Sequence, residues 1–335
     1  MICEFEDKVF TLEPADFEPL ALELYRFQYQ HNPVYQQYVN AIGGVGRTIK
    51  SIDQIPFLPI QFFKTHEVKT TVFEPQAIFE SSGTTLTRNS RHYVKDLSIY
   101  RESFLRNWQL QYGPVQDYCI IGLLPSYLER NNSSLVVMAD ELVRLSGHEN
   151  SGFYLHEYDK LYAVLQQLEK AAQKTVLLGV TFALLDFAGQ YSLPLRHTFI
   201  METGGMKGRR EELTRQEVHD KLKQAFGCTV IHAEYGMTEL LSQAYSPGNG
   251  LFYCPPWMKI LVRQEDDPLE IQPAGKGALN TIDLANIYSC SFIATDDVGI
   301  LHSNGSFEVQ GRMDNSDIRG CSLLVADQLA IDNKR

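Results

Sequence analysis

A chain of 335 residues, 44% hydrophobic and 21% charged, has the composition of a globular protein long enough to fold as more than one subdomain. Its 41 acidic side chains outnumber 30 basic ones, giving a net charge of -11, which excludes a surface built to coat nucleic acid. Any phosphate ligand must then be held in a local positive pocket, partly lined by backbone N–H groups.

In chain order, residues 1–10 lack the basic and then apolar pattern of a secretory signal. The spacing of Phe17, Leu20, Leu24, Phe27 and Tyr38 predicts a helix over 14–39, broken at Pro33. Two prolines make 55–64 an extended loop rather than an internal strand or helix. Ala77–Glu80 reads as a short strand leading into a Ser/Gly/Thr turn. From there, helical patterns over 94–111, 133–146, 158–173 and 210–226 alternate with buried strand patterns over 118–124, 175–178, 197–201 and 229–232. That alternation predicts an α/β fold with a largely parallel sheet. The longest apolar run, 176–188, contains Thr181 and Asp186 and is too short to span a bilayer. After Gly248 the texture becomes β-rich, and Asn304-Gly305 marks a hairpin turn. The six cysteines, Cys3, Cys119, Cys228, Cys254, Cys290 and Cys321, are too scattered for a secreted disulfide scaffold and read as free thiols of a cytoplasmic protein. Cys228, His232 and Cys254 make a poor zinc pattern.

Five polar stretches carry the chemistry. Ser81-Ser82-Gly83-Thr84-Thr85 places hydroxyl donors around a flexible glycine and can wrap anionic oxygens, although it is not a Walker loop and also fits a plain polar turn. Thr203-Gly204-Gly205 closes an apolar run. In Tyr235-Gly236-Met237-Thr238-Glu239 an aromatic face can stack on a base and a glycine admits close approach. Thr238 can donate to a phosphate, and Glu239 is a hard oxygen ligand suited to Mg²⁺. The same residues could serve as a core aromatic and a helix-start carboxylate. Asp297, within Thr295-Asp296-Asp297-Val298-Gly299, can accept from two vicinal hydroxyls or sit in a solvated acidic turn. Arg312, within Gly311-Arg312-Met313-Asp314, supplies a guanidinium able to bridge ribose and phosphate.

In this order the five stretches resemble the adenylate-forming superfamily of acyl-CoA synthetases, luciferases and peptide-synthetase adenylation domains. Within it the chain looks most like the acyl-protein synthetase (fatty-acid ligase) family of bacterial luminescence operons. The run Asp317-Ile318-Arg319-Gly320-Cys321-Ser322 resembles that family's terminal signature. The resemblance implies two α/β subdomains plus a smaller β-rich one, without the mobile C-terminal domain of longer relatives. The expected division is 1–250 for the α/β core, 251–320 for the β-rich part and 321–335 for a tail. It implies ATP and Mg²⁺ as cofactors, Gly204 and Gly205 bordering adenine, Tyr235 stacking on it, and Asp297 on the ribose. It also implies that Cys321 receives the acyl group and passes it to a partner reductase; the other reading of Cys321 is a small buried apolar residue.

Two departures accompany the resemblance. The Pro-Lys that usually follows the first stretch is absent, leaving Arg88 or Arg91 as substitutes. The lysine of the missing C-terminal domain has only Lys64, Lys207 or Lys276 as stand-ins. The expected activity is conversion of a carboxylic acid, fatty in the first instance, to acyl-AMP and then to a thioester on Cys321, coenzyme A or a carrier protein. Alternatives are an acyl- or aryl-CoA ligase similar to phenylacetate–CoA ligases, working with a separate C-terminal piece, and a nucleotide-binding protein without turnover.

Overall fold

The computed structural model describes residues 2–44, 46, 48–81, 88–124, 132–155, 157–204, 213–264, 267 and 269–313. The chain is a mixed α/β protein of two compact units, each discontinuous in sequence. The first comprises Met1–Ser103, Met237–Ser242 and Cys254–Arg335; the second comprises Phe104–Gly236 and Gln243–Tyr253. These units cut across a linear division at residue 250.

The second unit carries the parallel sheet. Its strands run in the order Gly152–Phe153, Cys119–Leu123, Thr175–Gly179, Thr198–Glu202, His232–Tyr235 and Ala244–Ser246, parallel throughout except for the last pair. Every residue of Cys119–Leu123 and Thr175–Gly179 is buried, as expected of central parallel strands covered on both faces. Helices Ser134–Ser146 and Tyr158–Lys170 form where the sequence predicts helix, and the helix expected over 210–226 begins at Arg215, after the non-helical Leu213 and Thr214. Arg215–Phe226 opens with a Thr214/Glu217 capping box and ends at Gly227 (φ +59°), so local signals fix both ends. The helix Thr181–Gln190 had no periodic signature, because Thr181, Ala183, Leu184, Leu185 and Phe187 bury it nearly all round. The strand expected over 229–232 lies at His232–Tyr235 instead. Its neighbour Thr198–Glu202 offers pairing partners only to His232 and Ala233.

The first unit is built on an antiparallel sheet. Phe307–Arg312, Phe292–Leu301, Gly275–Asp283, Met258–Arg263 and Ile271–Gln272 follow in that order. The hairpin turn falls at Asn304-Gly305, where Gly305 takes φ +85°, a conformation glycine adopts without strain. The helices Phe17–His31 and Pro33–Ala41 are separated by Asn32, whose side chain caps the second. Phe292 lies in a ring cluster with Tyr25, Tyr35 and Phe57 at centroid distances of 6.2, 6.2 and 6.3 Å.

One expectation is corrected here. The 55–64 segment is not wholly an extended loop: Leu58–Pro59 joins the sheet, parallel to Ile293 and Ala294, and Phe62–Thr65 is a short helix. Proline is tolerated because it contributes no ladder donor at this edge; the next residue's Ile60 N–H donates to the Ala294 carbonyl at 3.0 Å.

Candidate functional site

In the first unit, the strand Phe292–Leu301 keeps Gly275–Asp283 along one edge and changes partner along the other. Leu58–Pro59 pairs with Ile293 and Ala294, and Phe307–Arg312 takes over from Asp297 onward. Asp297 and Arg312 face each other in register at that handover, and Arg312 Nε donates to Asp297 Oδ1 at 3.2 Å. The Asp297 side chain is 9% exposed and that of Arg312 68% exposed, so a buried carboxylate meets a guanidinium that reaches outward. The Asp297 N–H donates to Thr295 Oγ1 at 3.2 Å, and Thr295 Oγ1 donates to the Leu279 carbonyl at 2.8 Å, so the threonine shapes the turn. Gln61 Nε2 donates to Asp296 Oδ1 at 2.5 Å.

Met237–Ser242 is a six-residue excursion that belongs to this unit although its flanks belong to the other. Glu239 is buried within it. Burial raises the Glu239 carboxyl pKa, against the hydrogen bond from the Ser90 side chain and the charges of Arg312 and Lys64. Burial likewise raises Asp296, opposed by Gln61, Lys64 and Arg312. Glu239, Asp297 and Arg312 therefore share one electrostatic neighbourhood, with Lys64 as a second cation. Ser81, the described residue of the first stretch, reaches the same place at the end of the strand Ala77–Glu80, which pairs with Arg91–Val94. Ser81 Oγ accepts from the Ser90 N–H at 2.9 Å, and the buried Ser90 then contacts Glu239.

The excursion is held by buried polar side chains rather than by a ladder. His92 Nδ1 contacts the Thr238 carbonyl at 2.9 Å, and Asn286 Nδ2 donates to the Glu239 carbonyl at 2.7 Å. The Asp283 carboxylate accepts from the Leu241 and Ser242 N–H groups at 2.8 and 3.0 Å and from Ser242 Oγ at 2.6 Å. Nothing in the sequence singled out His92, Asn286, Asp283 or Gln61, because their roles come from contacts across long chain separations.

In the second unit, Glu202 ends its strand and turns back on the glycine loop: Gly204 N–H donates to Glu202 Oε1 at 2.8 Å, and Thr181 Oγ1 donates to the same oxygen. Gly204 takes φ +75°. Tyr235 is buried, its ring 5.9 Å from that of Phe252 at 61°. Glu234, just before it, is a missed titratable group whose carboxyl is pushed up to about 8 by burial and then by Glu202. A Cβ on Gly236 would lie 2.3 Å from Glu234 Oε1. The only available sequence signal for Glu234 is its position, immediately ahead of Tyr235-Gly236.

Ser81, Thr238, Glu239, Asp297 and Arg312 thus lie in the first unit, and Gly204, Tyr235 and Gly236 in the second. Ser82, Gly83, Thr84, Thr85, Gly205, Asp314 and Cys321 lie outside the described residues, as does Lys207. Arg91 Nε pairs with Glu80 Oε1 at 3.1 Å, while the charge of Arg88 helps lower the His66 pKa, after burial. Among the described residues no group of three or more His, Cys, Asp or Glu could hold a metal ion. A single buried carboxylate such as Glu239 does fit Mg²⁺ carried in with a nucleotide, since that ion takes few protein ligands and completes its shell with phosphate oxygens and water.

The family model described as "Acyl-protein synthetase, LuxE" matches residues 15–330. The chain belongs to the acyl-protein synthetase family. It is a ligase of the adenylate-forming kind, activating an acyl group with ATP. Its sequence is 23% identical to the long-chain-fatty-acid–luciferin-component ligase of Aliivibrio fischeri, over 97% of this chain and 94% of that one. The Vibrio harveyi ligase of the same name is 22% identical over 92% and 87%. Among solved structures, 2-hydroxyisobutyryl-CoA ligase in its postadenylation state superposes with TM-score 0.60 at 11% identity, over 89% of this chain and 67% of that one. An ATP-bound RpMatB–BxBclM chimera gives 0.54 at 18% identity, over 72% of this chain; the chain spans 50% of that structure's length. These likenesses establish the fold of the N-terminal domain of adenylate-forming enzymes. No helix of the described residues is long and apolar enough to cross a membrane.

Proposed function

We propose that the chain converts a long-chain fatty acid and Mg-ATP to acyl-AMP and pyrophosphate, and then forms a thioester, in the cytoplasm. The observation that carries this reading is the Asp297–Arg312 pair beside Glu239 in a member of an acyl-activating family. In the first step a carboxylate oxygen bonds to the α-phosphorus and the bond to the β-phosphate oxygen breaks, releasing pyrophosphate. Asp297 accepts from the ribose hydroxyls, and Arg312, anchored to Asp297 through Nε, places its guanidinium charge beside ribose and phosphate. Thr238 donates to an α-phosphate oxygen, and Ser81, Ser82, Gly83, Thr84 and Thr85 wrap the departing pyrophosphate. Tyr235 stacks on adenine, with Gly204, Gly205 and Gly236 allowing close approach. Glu239 holds Mg²⁺, which when bound would neutralise phosphate charge. Lys64, close enough to Glu239 and Asp296 to stabilise both as anions, supplies a cation toward the reacting carboxylate and phosphate.

In the second step a thiolate attacks the acyl carbonyl, a C–S bond forms, and AMP leaves. Cys321 is the proposed acceptor, handing the acyl group to a reductase partner. Incubation with ATP and radiolabelled fatty acid, without added thiol, tests this. Label retained on the protein, lost in Cys321→Ser and released by hydroxylamine, supports self-acylation. Label appearing only on added coenzyme A or carrier protein replaces Cys321 with an external acceptor, and no acid-dependent pyrophosphate release with any fatty or aryl acid removes the whole reading.

A further inference from the structure

The segment that carries Thr238 and Glu239 belongs to no helix or strand, yet four of its backbone groups are satisfied by buried side chains. The Thr238 and Glu239 carbonyls take His92 and Asn286, and the Leu241 and Ser242 N–H groups take Asp283. Of these side chains His92 stands closest in sequence to the first polar stretch, on the strand Arg91–Val94 that returns from it. Its ring is 1% exposed, with the Phe63 and Phe79 rings at 6.0 and 6.5 Å. A carbonyl oxygen only accepts, so Nδ1 carries the proton and donates to Thr238. Burial lowers the imidazole pKa to about 4, so the ring stays neutral in the working range and acts as a fixed donor rather than an acid or base.

Two consequences of that contact concern chemistry. Thr238 and Glu239 are neighbours, so the carbonyl that His92 grips sits between the hydroxyl proposed for the α-phosphate and the carboxylate proposed for Mg²⁺. Rotation of that peptide would swing both side chains at once, and a misplacement of about 1 Å can lower a rate by on the order of 10²-fold. The contact also ties the strand leaving the phosphate-wrapping loop to the metal-binding segment, alongside the Ser81–Ser90–Glu239 chain.

Resting on the adenylation reading, we propose that His92 is a positioning residue for the first half-reaction, fixing the Thr238–Glu239 peptide through Nδ1 so that both side chains face the reacting phosphate. His92→Asn and His92→Gln separate this role from simple packing. Both replace the ring by a polar side chain, but the asparagine amide nitrogen falls near the Nδ1 position and the glutamine amide nitrogen does not. In acid-dependent ATP–pyrophosphate exchange, His92→Gln should lose on the order of 10²-fold in kcat with little change in the KM for ATP. His92→Asn should recover most of that loss. Amide hydrogen exchange over 240–242 should accelerate in His92→Gln and stay near wild type in His92→Asn, a readout that needs no turnover. Equal activity in the two variants, or a rise in KM at unchanged kcat, overturns the proposal. Wild-type protein that exchanges pyrophosphate with no acid removes the adenylation reading and the positioning role with it. Robust wild-type exchange that survives His92→Gln removes the positioning role alone.

Discussion

Asp297 and Arg312 are paired in register on adjacent antiparallel strands, and the guanidinium Nε reaches the carboxylate across 3.2 Å. Two motifs separated by fourteen intervening positions in the chain are thus a single cross-strand unit, set where the edge of Phe292–Leu301 passes from Leu58–Pro59 to Phe307–Arg312. Because the arginine is 68% exposed, the pair adds little to stability. Arg312→Ala should therefore change unfolding free energy by less than about 1 kcal/mol. The same variant should lower acid-dependent pyrophosphate exchange by on the order of 10²-fold, as loss of an electrostatic clamp does. Paired denaturant melts and exchange assays would show whether the two effects separate.

Gly299 lies two residues beyond Asp297, at a bulge where Val298 pairs with Gly311 and Gly299 with Val309. A Cβ there would stand 2.0 Å from the Glu308 carbonyl oxygen, a backbone atom that cannot swing away. Gly299→Ala should destabilise by about 1–3 kcal/mol and shift the Asp297–Arg312 register. Gly311→Ala, with nothing within 4 Å of the added carbon, is the matched control. A Gly299→Ala melt indistinguishable from that of Gly311→Ala would contradict the close contact.

Glu239→Gln keeps the shape of the side chain but removes the charge that Arg312 and Lys64 face. The Mg²⁺ concentration needed for half-maximal exchange should rise on the order of tenfold or more, with ATP binding in the absence of metal much less affected. Isothermal titration with and without Mg²⁺ distinguishes a metal ligand from a purely structural carboxyl, whose replacement would leave the metal requirement unchanged.

Two groups, the buried His92 and the half-buried Glu234, pull stability in opposite directions with pH. The unfolded chain protonates the His92 imidazole near 6.5 and the folded chain only near 4, so stability is lost as pH falls through that window, by about 3 kcal/mol in full. Glu234 keeps its proton up to about 8 when folded but releases it near 4.5 when unfolded, so stability is lost as pH rises from 4.5 to 8. Glu234→Gln should flatten the alkaline side of a melting-temperature profile and leave the acid side in place; His92→Asn should do the reverse. Profiles unchanged by both substitutions would show that other groups set the pH response.

Local signals fixed much of the secondary structure. The Asn304-Gly305 turn and the buried parallel strands were legible, since each depends on residues close in the chain, whereas the helix expected from residue 210 starts only at Arg215, behind a Thr214 capping box that the periodicity did not reveal. Failures occurred where a partner decided the outcome. Leu58–Pro59 is a strand only because Ile293 and Ala294 present an open edge, and His232–Tyr235 is placed by the end of its neighbour rather than by the β-branched run before it. Thr181–Gln190 lacked a period because burial on most sides erases amphipathicity.

The sequence alone determined the kind of chemistry: an ordered set of hydroxyl, glycine, aromatic, carboxylate and guanidinium positions fitted to a nucleotide, in an acidic chain that must neutralise phosphate locally. Tertiary structure decided which of those residues act together. Only folding buries Glu239 beside Ser90, brings the charges of Lys64 and Arg312 to it, and sets His92, Asn286 and Asp283 around a segment that has no secondary structure of its own. The reason is physical: a residue's type is written in the chain, but its dielectric surroundings and hydrogen-bond partners come from segments up to hundreds of positions away.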